Sequence, residues 1–385
     1  MKYAIAGKGR SGQAAYNFLK QQGHRVEFLD DASHNLSPEL ILNFEAVVLS
    51  PGIPRVHPAI QAALQANLPV YNEIDLAVEY LPDCQFVGIT GTNGKSTTTA
   101  LLGHIVTVFE PNTFVGGNLG QPLCEALSAG RHPQYAILEL SSFQLETVDK
   151  LQLDVAVLLN LTPDHLERYP SVEAYYQTKQ KIFSLLKEEG IGFSPPFEKK
   201  GQDRFQFPKN LLGEHNIQNT RAAILAAQAL HIPDQIIQKG LDSFPGIAHR
   251  LEILGLKNGV TWINDSKATN VESAIAALSC FDSGVHLILG GQGKGASYAP
   301  LVRAAQKCVK QVYVIGEEGP NILQAFQNEN IQIMSVHTLE NAVRVVCQKA
   351  VPGDTVLLAP ACASYDQFKN FEHRGDVFRS LVYGL

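Results

Sequence analysis

The chain has 385 residues, which is enough for two or three compact domains with hydrophobic cores. Hydrophobic residues make up 45% of it and charged residues 18%, and this balance excludes a chain that is mainly disordered. The formal net charge is -6 and no basic run occurs, so we expect no nucleic-acid partner. Because the sequence shows neither a secretory leader nor about 18 consecutive apolar residues, we expect a cytoplasmic protein without a membrane partner. The six cysteines contain no C-x-x-C pair, which is typical of reduced thiols.

Short apolar runs alternate with helical stretches along the whole chain, which predicts an α/β fold of βαβ units on mostly parallel sheets. Three such systems follow one another, and we predict domains at 1–83, 84–245 and 246–385. The first contains strands at 3–6, 26–29 and 46–49 and a helix at 13–22.

The second system contains strands at 86–90, 136–140 and 155–160, followed by helices at 172–186 and 216–230. Residues 187–210 have few periodic apolar positions, which predicts a loop or short irregular strands. The third system contains strands at 261–264, 286–289, 311–315 and 355–359.

A glycine turn, GKGRSG at 7–12, lies between the first strand and the first helix, with Asp30 about 20 residues later. Such a turn lets backbone N–H groups approach a diphosphate at a helix N-terminus. A tight structural turn and a nicotinamide dehydrogenase are the alternatives that these glycines leave open. The SPG turn at 50–52 marks another strand end, where open α/β sheets place their ligands.

The segment TGTNGKST at 90–97 follows a strand and begins a helix, so its amides and Lys95 can surround phosphate oxygens while Ser96 reaches Mg²⁺. The spacing departs from the strict phosphate-loop pattern, because Ile89 stands five residues before Gly94. We predict that this segment binds phosphate.

Polar side chains follow the next two strands of the second system. Glu139 ends one strand beside the phosphate loop, where an acid that organises a metal is needed. His165 follows the other strand and could bind Mg²⁺ or orient a carboxylate, although lone histidines are usually structural. Lys179 and Lys181 lie on the helix that follows, and periodicity does not choose between them.

Three polar strand ends in the third system predict one binding wall, at 264–270, 289–295 and 359–364. Because lysines occur in the first two of these segments, the wall suits an acidic substrate. Ordinary βα loops are the alternative.

The chain resembles the Mur ligases of peptidoglycan synthesis in three motifs that occur in the family's order: TGTNGKST at 90–97, ELSSFQ at 139–144 and NLTPDH at 160–165. Later motifs are similar to those of the family members that add D-glutamate: GEHN at 213–216, AHRLE at 248–252, NDSKATN at 264–270 and ACASYDQFKNF at 361–371. The DNPR-type motif of the members that add diaminopimelate or lysine does not occur.

This resemblance implies three domains: a Rossmann-like domain that binds the UDP substrate, a central P-loop ATPase-like domain and a C-terminal Rossmann-like domain. It implies ATP-dependent addition of D-glutamate to UDP-N-acetylmuramoyl-L-alanine through an acyl phosphate, with two Mg²⁺ ions and a carbamylated lysine at Lys179. A monomer is expected. By the same resemblance, Lys95, His165, Lys179 and Arg250 are catalytic.

The resemblance assigns the remaining site residues by substrate. ATP is expected at Gly91, Thr92, Asn93, Gly94, Lys95, Ser96, Thr97, Asn219, Arg250 and Asp265. The UDP substrate is expected at Ser11, Gly12, Asp30, Ser50, Pro51, Gly52 and Asn118. D-Glutamate is expected at Lys267, Thr269, Lys294, Ser364 and Phe371. Metal is expected at Ser96, Glu139, His165 and carbamylated Lys179.

Two departures from the family pattern stand out. Members are commonly several tens of residues longer, and the shortfall falls in the region 187–210. Gln292 stands where a GGDGK pattern would have an acid. A folylpolyglutamate synthase-like ligase, which should lack the first domain, and a catalytically silent nucleotide or UDP-sugar sensor are the remaining alternatives.

Overall fold

The computed structural model describes residues 1–33, 35–118, 120–164, 168–198, 202–327 and 329–385. His165, predicted as a metal ligand, therefore lies outside the described residues. The chain forms two compact units: Met1–Pro208 with His215–Phe244, and Lys209–Glu214 with Pro245–Leu385. The first predicted boundary, after residue 83, lies within unit 1, and the second, after residue 245, lies one residue from the junction between Phe244 and Pro245.

Unit 1 begins with a parallel four-stranded sheet in the order β2-β1-β3-β4. The central strands β1 and β3 are apolar because helices cover both faces, and helix α1 buries Ala14, Ala15, Phe18 and Leu19. The elements are β1 (Lys2–Ala6), α1 (Arg10–Gln21), β2 (Arg25–Leu29), α2 (Pro38–Ile41), β3 (Ala46–Leu49), α3 (Pro58–Gln65), β4 (Val70–Tyr71) and α4 (Glu73–Val78).

A second sheet in unit 1 has five parallel strands in the order β6-β7-β5-β8-β9. Its elements are β5 (Gln85–Thr90), α5 (Lys95–Phe109), β6 (Thr113–Gly117), α6 (Leu123–Ser128), β7 (Tyr135–Glu139), α7 (Ser142–Leu145), β8 (Leu153–Leu158), α8 (Val172–Gln180), β9 (Leu186–Phe193), α9 (Glu214–Ala229) and α10 (Asp234–Ser243). The carboxyl ends of the neighbouring strands β5, β7 and β8 thus carry the predicted phosphate loop, Glu139 and the NLTPDH motif.

One expectation for this sheet was wrong in detail: the helix predicted at 172–186 ends at Gln180 and continues as the 3₁₀ turn Lys181–Leu185. Residues 186–193 form strand β9, which pairs with β8 through a register shift between Leu153 and Val155, so this part of 187–210 is an irregular strand, one of the two predicted forms. Because β9 is an edge strand with no fully buried residue, its sequence lacks the apolar pattern that marks the inner strands.

Two acids on α4 join the two sheets of unit 1. The buried carboxylate of Asp75 accepts hydrogen bonds from the backbone N–H groups of Asp149, Lys150 and Leu151 at 2.9, 2.9 and 3.2 Å. Glu73 accepts a hydrogen bond from the backbone N–H of Cys124 at 2.5 Å, and burial raises the pKa of its carboxyl to about 7. These bonds attach α4 of the first sheet to connections of the second.

Unit 2 contains a six-stranded sheet in the order β10-β11-β15-β12-β13-β14, in which only the β10–β11 pair is antiparallel. Its elements are β10 (Glu252–Lys257), β11 (Val260–Asn264), α11 (Val271–Leu278), β12 (Val285–Gly290), α12 (Ala299–Ala305), β13 (Val309–Ile315), α13 (Gly319–Phe326), β14 (Gln332–His337), α14 (Leu339–Lys349), β15 (Thr355–Leu358) and α15 (Phe371–Tyr383). Trp262, the chain's single tryptophan, is buried in this unit and packs on Phe378 with ring centroids 6.0 Å apart.

Within the described ranges, we find no helix whose length and apolar character would let it cross a bilayer.

Candidate active site

The predicted phosphate loop connects β5 to α5 and depends on glycine at two positions. Gly91 and Gly94 have φ values of 151° and 84°, which side chains rarely adopt. A Cβ atom on Gly94 would also lie 2.3 Å from Oδ1 of Asn219 on α9. The structure therefore brings Asn219, a predicted ATP residue, against the loop.

The end of β8 holds this loop in place. The backbone N–H of Asn93 donates to Oδ1 of Asn160 at 2.8 Å, and Nδ2 of Asn160 donates to the Asn93 carbonyl at 3.0 Å. The Thr92 hydroxyl donates to the Thr162 carbonyl at 3.0 Å and accepts from the Thr162 N–H at 3.1 Å. These reciprocal bonds fix the loop before any ligand binds.

Two lysines meet at one carbonyl of the loop. Nζ of Lys95 donates to the carbonyls of Gly91 and Thr92 at 2.9 and 2.8 Å, and Nζ of Lys179 donates to the same Gly91 carbonyl at 2.9 Å. Lys179 is 2% exposed, and burial together with repulsion from Lys95 lowers its pKa to about 7. Lys181 instead bonds Asp149 and the Val148 carbonyl, so the structure places Lys179, and not Lys181, at the loop.

The carboxylate of Glu139 lies at the end of β7 and is 3% exposed. Its Oε1 accepts a hydrogen bond from Nδ2 of Asn118 at 2.7 Å, while its buried Oε2 has no partner among the described residues. A buried carboxylate oxygen without a donor is costly unless a cation or ligand meets it. Mg²⁺ typically takes one or two carboxylates together with phosphate oxygens and water, so the Glu139 carboxylate and the hydroxyl of Ser96, in the first turn of α5, have the chemistry that suits this ion.

Glycines and polar side chains also build the predicted UDP turn of the first sheet. A Cβ atom on Gly12 would lie 2.2 Å from the Gly7 carbonyl, so α1 begins close to the turn. The Ser50 hydroxyl donates to that carbonyl at 3.0 Å. Asp30 accepts hydrogen bonds from the backbone N–H groups of Lys8 and Ala32 at 3.0 and 2.9 Å. Asp30 and Ser50 thus shape this turn.

The other residues predicted for the UDP substrate are Ser11 in α1, Pro51 and Gly52 after β3, and Asn118 beside Glu139.

The loops that follow β11, β15 and β12 carry the residues predicted for D-glutamate. Arg374 on α15 is fully buried and donates to the Ser266 hydroxyl and carbonyl, both at 2.9 Å, and to the Ala363 carbonyl at 3.3 Å. The Ser266 hydroxyl donates to the Phe371 carbonyl at 2.8 Å, and Nζ of Lys267 lies 6.0 Å from the Phe371 ring centroid.

This network connects the loop of Lys267 and Thr269, the loop of Ser364, and Phe371 at the start of α15. The loop of Lys294 joins them through reciprocal backbone bonds between Gln292 and Ala363 at 2.9 and 3.0 Å.

The two unit 2 residues predicted for ATP are Arg250 and Asp265, and Asp265 is bonded to Leu251, the residue that follows Arg250. Asp265 accepts a hydrogen bond from the Leu251 N–H at 3.2 Å, and its burial raises the pKa of the carboxyl to about 6. The positive charge of Arg250 opposes this rise.

Sequence reasoning missed three residues that organise these sites: Asn160, Arg374 and Arg168, which donates to the Pro51 carbonyl of the 50–52 turn at 3.3 Å. Asn160 stood within a motif but was given no role of its own. An arginine in a loop or helix has the same appearance in sequence whether it is solvated or buried, so the two arginines gave no signal.

The parallel sheets and the phosphate loop define an α/β protein of the P-loop nucleotide-binding class. Its second unit carries Lys267 and Lys294 in the loops that follow two of its strands. A family model described as the Mur ligase middle domain matches residues 89–199, and one described as the Mur ligase glutamate ligase domain matches 249–362. The chain is 41% identical to UDP-N-acetylmuramoylalanine–D-glutamate ligase of Myxococcus xanthus, covering 100% of this chain and 98% of the relative. It is 36% identical to the protein of the same name in Koribacter versatilis, covering 98% and 96%. The chain therefore belongs to the Mur ligase family.

Solved structures show the same fold. The UDP-N-acetylmuramate–alanine ligase MurC of Thermotoga maritima matches with a TM-score of 0.63 at 17% identity, covering 100% of this chain and 99% of that one. The MurF ligase of Thermotoga maritima in complex with ADP matches with a TM-score of 0.60 at 17% identity, covering 99% and 95%. The predicted three-domain Mur ligase architecture is thus confirmed.

The alignment with the Myxococcus relative is 448 positions long, whereas this chain has 385 residues, so the chain lacks residues that the relative has. Their placement within 187–210 stays a prediction.

Proposed function

We propose that this protein is an ATP-dependent ligase that joins D-glutamate to UDP-N-acetylmuramoyl-L-alanine in the synthesis of peptidoglycan precursors. The observation that carries the proposal is the phosphate loop at 91–94 with two lysines on its Gly91 carbonyl. Relatives of 34–41% identity over nearly the whole chain are named UDP-N-acetylmuramoylalanine–D-glutamate ligase, which supports the choice of substrates.

We propose that the nucleotide binds at Gly91 to Thr97, at Asn219 and, in unit 2, at Arg250 and Asp265. The bare amides of the loop and the ammonium of Lys95 suit the phosphates, because both present donors to negative oxygens. When bound, Mg²⁺ would neutralise phosphate charge; Ser96 and Glu139 would hold it, with His165 as a further predicted ligand. Binding of two ions stays a prediction.

The proposed reaction has two steps. An oxygen of the substrate's alanyl carboxylate attacks the γ-phosphorus of ATP, the bond to the bridging oxygen breaks, and ADP leaves. The D-glutamate nitrogen then attacks the resulting acyl carbon, a proton leaves the amine, and the carbon–oxygen bond to phosphate breaks. An amide and inorganic phosphate result. Lys95 and Arg250 would stabilise the negative charge that spreads over the transferring phosphoryl group.

Lys179 is suited to carbamylation. An amine whose pKa is lowered to about 7 is partly neutral at physiological pH, and only the neutral nitrogen can attack CO₂. The product is a carbamate and a released proton. The new carboxylate would lie beside Lys95 and would serve as an anionic metal ligand. Because the modified side chain is an anion, the repulsion between the two buried ammonium groups would be removed.

We propose that the UDP substrate binds at the first-sheet turn, at Ser11, Gly12, Asp30 and the 50–52 turn, and that Asn118 contacts it from the second sheet. D-Glutamate would bind at Lys267, Thr269, Lys294, Ser364 and Phe371, because two ammonium groups suit a dicarboxylate. The predicted domains 1–83, 84–245 and 246–385 would then serve the UDP substrate, ATP and the amino acid. A cytoplasmic monomer remains our proposal, and gel filtration tests the monomer.

The decisive experiment measures phosphate release from ATP and Mg²⁺ with UDP-N-acetylmuramoyl-L-alanine, adding D-glutamate, L-glutamate or diaminopimelate in parallel. Release that requires D-glutamate is the expected result. Release with another amino acid would assign the chain to a sister activity, and no release would favour a silent nucleotide binder. In the same assay, Lys179→Ala should lose most of its turnover and regain part of it when a small carboxylic acid is added.

A further inference from the structure

The guanidinium of Arg168 contacts three residues in two separate segments of unit 1. Its Nε and NH2 donate to the two carboxylate oxygens of Glu146 at 3.2 and 2.7 Å. Its NH1 donates to the Pro51 carbonyl at 3.3 Å, and its Cζ atom lies over the Phe143 ring, 4.1 Å from the ring centroid. The side chains of Arg168 and Glu146 are 20% and 19% exposed, so water competes little for these bonds.

The contact to Pro51 reaches the middle residue of the 50–52 turn, which follows β3 of the first sheet. Phe143 and Glu146 belong to the segment of α7 that follows Glu139 on β7 of the second sheet. Arg168 thus joins the turn proposed for the UDP substrate to the strand end proposed for the metal.

Contacts continue from Glu146 to the phosphate loop. The Tyr169 hydroxyl donates to Oε1 of Glu146 at 2.5 Å, and the rings of Tyr169 and Tyr175 have centroids 5.3 Å apart. The Tyr175 hydroxyl lies 3.3 Å from Oγ1 of Thr92, within hydrogen-bond distance. Every link in this series is a direct side-chain contact.

We infer that Arg168 is a positioning residue that sets the place of the 50–52 turn relative to the phosphate loop, and so the place of the substrate carboxylate relative to the γ-phosphate. This inference rests on the proposed function. A guanidinium is required because only its planar fork can bind a carboxylate with two donors, donate to a third group and stack on a ring at once. A displacement of about 1 Å between reacting groups can cost about a hundredfold in rate.

The test compares Arg168→Lys and Glu146→Gln with the wild type. Arg168→Lys keeps the charge but loses the paired donors and the stacking, and Glu146→Gln keeps the side-chain shape but removes the ionic partner. The matched control is Arg55→Lys, because Arg55 also joins the two sheets, through the Asp149 carboxylate at 3.0 Å and the Glu146 backbone carbonyl at 3.5 Å, but within the described residues its side chain makes no hydrogen bond to the 50–52 turn or to the Glu146 carboxylate. Steady-state rates give KM for each of the three substrates and kcat, and thermal unfolding gives Tm.

We expect both test variants to raise KM for UDP-N-acetylmuramoyl-L-alanine about tenfold and to lower kcat, with KM for ATP and D-glutamate changed less than twofold. Arg55→Lys should match the wild type in all four kinetic constants. Unchanged kinetics in Arg168→Lys, or equal rises in all three KM values together with a lower Tm, would overturn the inference. A wild type that releases no phosphate with these substrates would instead overturn the proposed function.

Discussion

At the scale of single residues, the ammonium of Lys179 is held in an unfavourable place. It is buried, it lies near Lys95, and within the described residues its hydrogen bond is to a backbone carbonyl and not to a carboxylate. Burial of a cation under these conditions lowers the free energy of unfolding as long as the amine carries its proton. The burial of the protonated Lys179 amine should therefore have a measurable effect on the free energy of unfolding.

We predict that Lys179→Met has a higher free energy of unfolding than the wild type at pH 7. The free energy of unfolding of this variant should also depend less on pH. The pKa of Lys179 falls from 10.5 to about 7 on folding, so between these values the unfolded chain binds more protons and wild-type stability rises with pH. The free energies of unfolding of the variant and the wild type should differ by at most about 5 kcal/mol near pH 7, and this difference should shrink toward pH 10. Urea unfolding in CO₂-free buffers measures it, and parallel pH profiles would contradict the prediction.

Motifs predicted the loop residues well, because a glycine-rich segment between a strand and a helix has few alternative structures. The structure places TGTNGKST between β5 and α5, as expected. The family resemblance chose Lys179, but periodicity could not choose between Lys179 and Lys181, since burial depends on the contact of α8 with the loop. Arg168 and Arg374 could not be found for the same reason.

At the scale of elements, α4 is the piece that attaches the first sheet to the second. The Asp75 carboxylate satisfies three consecutive backbone N–H groups at 149–151, which form the turn before β8. A backbone donor without an acceptor is most costly where it is buried, as at Leu151, whereas Asp149 and Lys150 are exposed residues; among the described residues no backbone carbonyl bonds any of the three N–H groups.

We predict that Asp75→Ala lowers the free energy of unfolding by about 3 kcal/mol or more, because the three N–H groups lose their acceptor together. Urea unfolding followed by far-UV circular dichroism provides the measurement. The exposed Asp83, just before β5, supplies the control: Asp83→Ala should stay within about 0.5 kcal/mol of the wild type. A similar, small effect of both substitutions would show that the Asp75 bonds do not hold the joint.

Inner strands were predicted closely, and so was the edge strand β2, but most other edge strands were not. Strands β3 and β5 follow the expected ranges within one residue because they are apolar on both faces. Strands β9, β10 and β14 lie at sheet edges, where one side is open to solvent and the sequence is mixed. Their pairing is set by the neighbouring strand, which a local pattern does not contain.

At the scale of the whole molecule, the chain divides into two units with separate hydrophobic cores. The sequence located the junction near residue 245 through its Phe-Pro-Gly turn. It did not reveal that residues 209–214 belong to the second unit, because a short segment without regular structure contributes no periodicity.

We predict that ATP with Mg²⁺ stabilises the protein through the phosphate loop of unit 1. At ligand concentrations about 100 times the Kd, the free energy of unfolding should rise by about 2.7 kcal/mol. Lys95→Met should remove most of this increase, whereas Lys239→Met, on the exposed surface of α10, should retain it. Circular dichroism in urea gives both values, and equal stabilisation of the two variants would argue against binding at this loop.

The position of the only tryptophan gives the molecule a built-in spectroscopic reporter. Trp262 is 2% exposed and lies in unit 2, whereas unit 1 contains tyrosines and phenylalanines but no indole. Fluorescence excited at the red edge therefore follows the melting of unit 2 alone, while circular dichroism sums over both units. A difference between the two curves would resolve their separate stabilities in the intact chain, without a label or a truncation.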